Sequence, residues 1–275
     1  MRAWLVVLVV IALGPRAAHA GAWARPQGGV YARAGVGLFF GQPAFLLAGG
    51  VGTEGRFIGI AGELYAEVGL GRGFELDVSA RWVDNRHDRD GQPTLTSDGP
   101  EDAELLLKWA PFSALHALSF TAGARVSMYE RSPDAEIAAG TPQRGPGGQD
   151  IVVGVGWGRS FYPVMAWVNV DIGYRLRIGN ASSAVRVRGE FGGRIVGPLA
   201  AAATLEIQPA FGRDTDLTTG APAPIPTVFA IGAKLFARIA AGFGASLDAA
   251  WLPDTVNDGP GWRVGLSATY ELDRR

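Results

Sequence analysis

Charged side chains recur at two-residue steps through this 275-residue chain, each flanked by apolar neighbours. One group is basic, with Arg175, Arg177, Arg186, Arg188 and Arg194 accompanied by Asp171 and Glu190. Another is acidic, with Glu63, Glu67, Glu75, Asp77 and Glu104 accompanied by Arg81 and Lys108. Arg125, Glu206, Lys234, Asp248 and Arg263 occupy the same kind of position. Fixed charges in rows act through their field, favouring the passage or dwell of ions of opposite sign. Covalent chemistry has less support, because a hydrolase needs a nucleophile within reach of a base. Apart from His19 the histidines are His87, in a polar stretch that reads as a loop, and His116, beside a tight turn. Neither has a serine at a convincing spacing, so the chain is not read as an enzyme. The acidic stretch 84–102, with Asp84, Asp88, Asp90, Asp98, Glu101 and Asp102, does not match the spacing of an EF-hand. It reads as a solvated loop, and no metal or cofactor is implied.

The elements that position these charges show best in Ser183 to Phe211. Val185, Val187, Phe191, Ile195, Leu199, Leu205 and Ile207 fall on one parity, and Arg186, Arg188, Glu190, Arg194, Thr204, Glu206 and Gln208 on the other. Strand side chains alternate between the faces of a sheet, so this is two long strands joined at Gly197-Pro198. The same alternation predicts twelve strands. They begin at Gly28 and run past Ile58 to Leu70, Phe74 to Trp82, Ala103 to Trp109, Leu118 to Met128, Asp150 to Gly158 and Val164 to Ile178. The hairpin just described follows, and then Phe229 to Leu235, Phe243 to Trp251 and Trp262 to Tyr270. Residues 21–27 read as a short leader and 271–275 as a tail.

Composition narrows the class. Forty glycines are about twice the usual ~7% and argue against a helical protein. The first twenty residues have a basic start, an apolar run from Ala3 to Leu13 and an Ala18-His19-Ala20 ending, the pattern of a secretory signal. The apolar run is about half the ~20 residues a spanning helix needs. The expectation is a signal peptide at 1–20 and one domain at 21–275. Losing Arg2 and Arg16 leaves 23 of the 25 basic residues against 26 acidic ones, a net charge of −3 that gives no reason to expect nucleic acid. With no cysteine there is no disulfide, thiolate metal site or lipid attachment.

Alternation alone leaves open whether the apolar face meets a core or lipid. Strands of ten to fifteen residues exceed the ~5–6 usual in soluble domains and suffice for a tilted bilayer crossing. Connections alternate: turns after the even strands are short, while long polar segments at 41–55, 85–100, 131–149, 213–226 and 253–261 follow most odd ones. No apolar face carries a charge, where a Lys or Arg would cost roughly 2–4 kcal/mol at the bilayer midplane. Aromatic residues cluster at both strand ends: Phe74, Trp109, Phe112, Phe161, Tyr162, Phe243 and Tyr270 at one, and Phe40, Trp82, Tyr129, Tyr174, Phe211, Trp251 and Trp262 at the other. The reading is all-β: an antiparallel up-and-down transmembrane β-barrel of about twelve strands in the bacterial outer membrane, with short periplasmic turns. Ten or fourteen strands, or a soluble β protein, are the competing readings.

The segment GELYAEVGLGRGFEL, the spacing from Gly148-Gln149-Asp150 through Gly158-Arg159-Ser160, and the run Gly173-Tyr174-Arg175-Leu176-Arg177 resemble a family of proteobacterial outer-membrane barrels. Its members are named as transporters or as phenol-degradation (MetA-pathway) proteins. The resemblance spans residues 28 to 270 and implies passage of small organic compounds, with no catalytic residues.

By parity the pore-lining basic residues are Arg125, Arg175, Arg177, Arg186, Arg188, Arg194, Lys234 and Arg263. The acidic ones are Glu63, Glu67, Glu75, Asp77, Glu104, Asp171, Glu190, Glu206 and Asp248. Acidic strands two to four would face basic strands seven and eight across the lumen. The expected function is a channel for passive passage of small organic or anionic solutes. The alternative is a plugged structural or surface-interaction barrel whose charges pair across a filled interior, and a lipid hydrolase is the least favoured. Expected partners are outer-membrane lipids, the barrel-assembly and periplasmic chaperone machinery and a small-molecule solute.

Overall fold

The computed structural model describes residues 22–41, 55–88, 91–113, 116–129, 142, 144–145, 148–178, 183–211, 214–215, 222–223, 228–240, 242–253 and 260–272. The expected signal at 1–20 and most of the expected long connections lie outside the described residues.

The described residues form twelve barrel strands: β1 Val30–Gly41, β2 Arg56–Gly71, β3 Phe74–Asp88, β4 Leu95–Ser113, β5 His116–Ser127, β6 Gln149–Ser160, β7 Ala166–Ile178, β8 Ser183–Val196, β9 Leu199–Gln208, β10 Val228–Ala240, β11 Phe243–Leu252 and β12 Gly261–Leu272. Each pairs antiparallel with its sequence neighbours. Between β1 and β12 the ladder runs from Val30↔Leu272 to Gly41↔Gly261. That pairing closes the sheet and leaves no edge exposed. After Pro209, Ala210–Phe211 extends the pairing onto β8. Asp214–Thr215 and Pro222–Ala223 form a separate two-residue ladder.

The apolar parity faces outward. Leu64 and Leu266 are each 63% exposed and Ile195 is 62% exposed, whereas the buried apolar residues described are mostly alanines. A soluble sandwich would bury those large side chains in a core. Here they form the lipid-facing band of an outer-membrane barrel. At the periplasmic end of the band Phe74 stacks on Trp109 at 6.1 Å and Phe243 packs on Tyr270 at 4.9 Å. At the external end Trp251 pairs across strands with Trp262. Of the expected girdle, the side chain of Phe211 lies outside the described residues. The periplasmic turns are tight. Gly71, Arg72 and Gly73 have φ of 93°, 53° and 80°, so glycines flank the one side chain held in the left-handed region.

Three expectations need correction. The polar stretch 85–100 is mostly strand rather than loop: β3 continues to Asp88 and β4 begins at Leu95, pairing from Asn85↔Ser97 to His87↔Leu95 beyond the apolar band. His87 is therefore not a solvated loop residue but is fully buried on β3. Residue 271 is not tail, because β12 continues to Leu272 and keeps Glu271 on the inner parity. The leader expected at 21–27 is not free where it is described: residues 22–27 continue with Gly28 and Gly29 as one segment bonded to β2. They fold back inside the barrel, and Ala22, Trp23 and Arg25 are buried.

Candidate functional site: a charged lumen crossed by the N-terminal segment

Inner-face positions on every strand are set by period two, and the ladders fix which charges meet. All the residues expected by parity to line the pore lie on the inward register. They do not form two separate arcs of opposite sign. Most are paired locally, because neighbouring strands place complementary charges side by side.

At the external end Arg125 on β5 sits between two carboxylates. Its Nη1 donates to Asp150 at 3.0 Å, and its other terminal nitrogen donates to Asp102. Arg177 Nε also donates to Asp150, at 2.8 Å, and Ser127 Oγ to Asp102 at 2.8 Å. Parity reasoning missed Glu101 and Asp102, consigning both to a solvated loop. The reason is a bulge: Ala80 pairs with Ala103 and Trp82 with Pro100, so two residues of β4 stand opposite Arg81 alone. A bulge turns consecutive side chains to one face. Both carboxylates are thereby buried, and Arg81 reaches Glu101 at 3.0 Å. Asp150, at the start of β6, was also missed.

Elsewhere on the inner face Arg33 meets Glu63 at 2.5 Å and Arg175 meets Glu104 at 3.5 Å. Glu206 on β9 is shared by three arginines: Arg186 at 3.1 Å, Arg188 at 3.4 Å and Arg263 at 3.7 Å. The Glu206 side chain is 19% exposed, against 52% for Arg188 and 41% for Arg263. Here the carboxylate lies against the wall, and the Arg188 and Arg263 side chains are the more exposed members of the cluster. Lys234 meets Glu190 at 3.3 Å, and Trp167 Nε1 donates to the same carboxylate at 2.8 Å. Asp248 lies opposite Lys234 in the ladder, its carboxylate close over Gly265. Asp171 lies over Gly156. Arg194 is exposed near the periplasmic end of β8, opposite Ala200.

The periplasmic end is acidic. Lys108 Nζ lies 2.6 Å from Glu75 and 3.3 Å from Asp77, and all three side chains are buried. Residues 22–29 cross this end as a strap. Gly28 N donates to Gly69 O at 2.8 Å and Gly69 N to Gly29 O at 2.9 Å, tying the strap to β2. Arg25 Nε donates to Glu67 at 2.6 Å, its Nη1 to Glu271 at 3.2 Å, and its backbone N to Glu75 at 2.7 Å. Arg238 holds the other oxygen of Glu271 at 2.7 Å. Beyond Arg25 the chain reaches β5 and β6, where Ala22 and Trp23 pack on Ala117. A Cβ on Gly158 would lie 2.5 Å from the Trp23 ring, and one on Gly156 would lie 3.6 Å from Ala22 Cα. The glycines that make the inner face of β6 nonpolar are thus the seat of the strap. The signal that could have found it is the coincidence of that glycine row with an aromatic and an arginine in a short leader.

No protein-family model matches the sequence, and no curated protein matches it. Solved structures do. An outer membrane channel from Pseudomonas putida F1 is 14% identical with a TM-score of 0.67, covering 91% of this chain and 98% of that one. The translocator domain of the autotransporter NalP from Neisseria meningitidis is 11% identical with a TM-score of 0.54, covering 98% and 96%. The NanC porin is 8% identical with a TM-score of 0.51, covering 88% and 100%. The shared feature is the fold: this chain is a twelve-stranded barrel of the outer-membrane type.

Proposed function

We propose that this chain is an outer-membrane channel for the passive diffusion of small organic or anionic solutes. The observation that carries the reading is the shared Glu206. Three arginines converge on one carboxylate, and Arg188 and Arg263 are more exposed than it is. A water-filled lumen lined in that way presents net positive charge beside Glu206, and such linings set ion preference. The fold shared with a channel and a porin supports the same reading. The phenol-degradation resemblance supports small organic compounds as the solutes. Maturation on this reading removes residues 1–20.

Refolded protein in planar bilayers tests the proposal. Unit conductance with a reversal potential favouring anions is expected, and changing Arg186, Arg188 and Arg263 together to Gln moves that potential toward cations. Absence of conductance from both the wild type and a strap-free form beginning at Gly29 would sink the channel reading. A second reading, a plugged barrel, is favoured by the strap across the periplasmic end. It predicts conductance in the strap-free form alone.

A further inference from the structure

The strap does more than fill space, because its one guanidinium occupies a cage built like a ligand site. Glu67 and Glu271 accept from Nε and Nη1 of Arg25, and the Tyr31 ring lies 4.9 Å beneath its Cζ. Tyr65 Oη donates to Glu67 at 2.8 Å, holding that carboxylate in place. Carboxylates on two sides with an aromatic face on a third is the arrangement that recognises a planar organic cation. The local charge agrees. Glu67, Glu75, Asp77 and Glu271 face Arg25, Lys108 and Arg238, so with Arg25 gone four carboxylates face two cations. Asp77 adds a second observation: its Oδ1 is buried and accepts no hydrogen bond among the described residues.

We propose that the cage around Arg25 is a binding site for small organic cations of the guanidinium or primary-ammonium class, and that Arg25 is a tethered occupant with which such a cation competes. Arg25 is joined to its anchor on β2 by a few residues, since Gly28 and Gly29 pair with Gly69. A ligand on so short a tether competes at an effective concentration of roughly millimolar. A free cation that replaced it would release the part of the strap beyond Gly28 from the wall. The periplasmic end then favours cations, whereas the Glu206 cluster higher in the lumen favours anions. This site stands whether or not the barrel conducts.

The test uses mature, detergent-folded protein with methylguanidinium chloride as the probe and sodium chloride at equal ionic strength as the control, read by titration calorimetry. Arg25→Ala vacates the cage and is expected to bind the probe saturably, while the wild type binds it about tenfold or more weakly because of the tethered competitor. Adding Glu67→Gln and Glu271→Gln to Arg25→Ala is expected to weaken binding about tenfold or more, through loss of the charge-assisted hydrogen bonds. Arg25→Gln is a second vacated cage, read in the same way should Arg25→Ala fail to fold. The proposal is overturned if neither vacated cage binds the probe above the sodium control. It is equally overturned if the wild type binds as tightly as Arg25→Ala, or if the two Gln changes leave binding unaltered. Bilayer conductance is read separately, so a barrel that does not conduct and still binds the probe refutes the channel alone.

Discussion

Lys108→Met is the perturbation that most directly probes how the lumen is held together. Lys108 is the cation between Glu75 and Asp77, at 2.6 and 3.3 Å, and the three side chains are 9%, 0% and 7% exposed. Methionine fills the space of the lysine stem and leaves two carboxylates with no ammonium group. Glu75 keeps the Arg25 N–H at 2.7 Å, but Asp77 already has one oxygen with no hydrogen-bond partner among the described residues. Removing one member of a buried ion pair destabilises by about 3–5 kcal/mol, because the remaining charge stays desolvated. The retained bond to Glu75 places the expected loss near the lower end, about 3 kcal/mol. Urea unfolding in detergent, followed by the heat-modifiable gel shift of the folded barrel, measures it. Neutralising the stranded groups in Lys108→Met/Asp77→Asn/Glu75→Gln should recover most of the loss, with Asp77→Asn contributing more than Glu75→Gln. A loss below about 1 kcal/mol, the level of an exposed pair, would refute the reasoning. So would a triple variant no more stable than the single one.

Gly158→Ala places a methyl carbon about where the Trp23 ring now lies, 2.5 Å away, an overpacking of about 1–3 kcal/mol that should loosen the strap. The chain has no cysteine, so Ala22→Cys gives a clean maleimide target that should label faster with Gly158→Ala than without it. An equal rate would mean that the strap does not seat on β6. Leu64→Arg puts a charge in the lipid-facing band and should destabilise the barrel by roughly 2–4 kcal/mol in bilayers; a neutral result would place Leu64 outside the hydrocarbon region. Glu206→Gln removes the carboxylate shared by three arginines and should move the reversal potential further toward anions, whereas an unchanged potential would take that cluster out of the conduction path.

Much of the barrel was legible from parity. The alternation in Ser183 to Phe211 gave the two strands, their turn and their faces, because a strand's side-chain direction is a property of the backbone alone. The same rule placed Arg125, Arg175 and Glu206 on the inner face without any knowledge of the pairing. It failed at Glu101 and Asp102, where a bulge adds a residue and two neighbours share a face. It also failed at Asn85 to Asp88 and Leu95 to Pro100, whose polar composition reads as loop although their backbones pair.

The sequence by itself determined twelve amphipathic strands, a face free of charge and a face full of it, since each is a local pattern of side-chain chemistry. The tertiary structure decided how those charges are used. Whether Arg186, Arg188 and Arg263 share one Glu206, or Arg125 bridges Asp102 and Asp150, depends on the stagger between strands and on closure of the sheet. The strap depends on closure most of all. Ala22 to Gly29 forms no strand of its own and bonds to the sheet backbone at Gly69, and its burial exists because twelve strands enclose a space with glycines on one wall and carboxylates on the other. Only inside that space do Trp23 and Arg25 find, respectively, a seat on β6 and a cage between β1, β2 and β12.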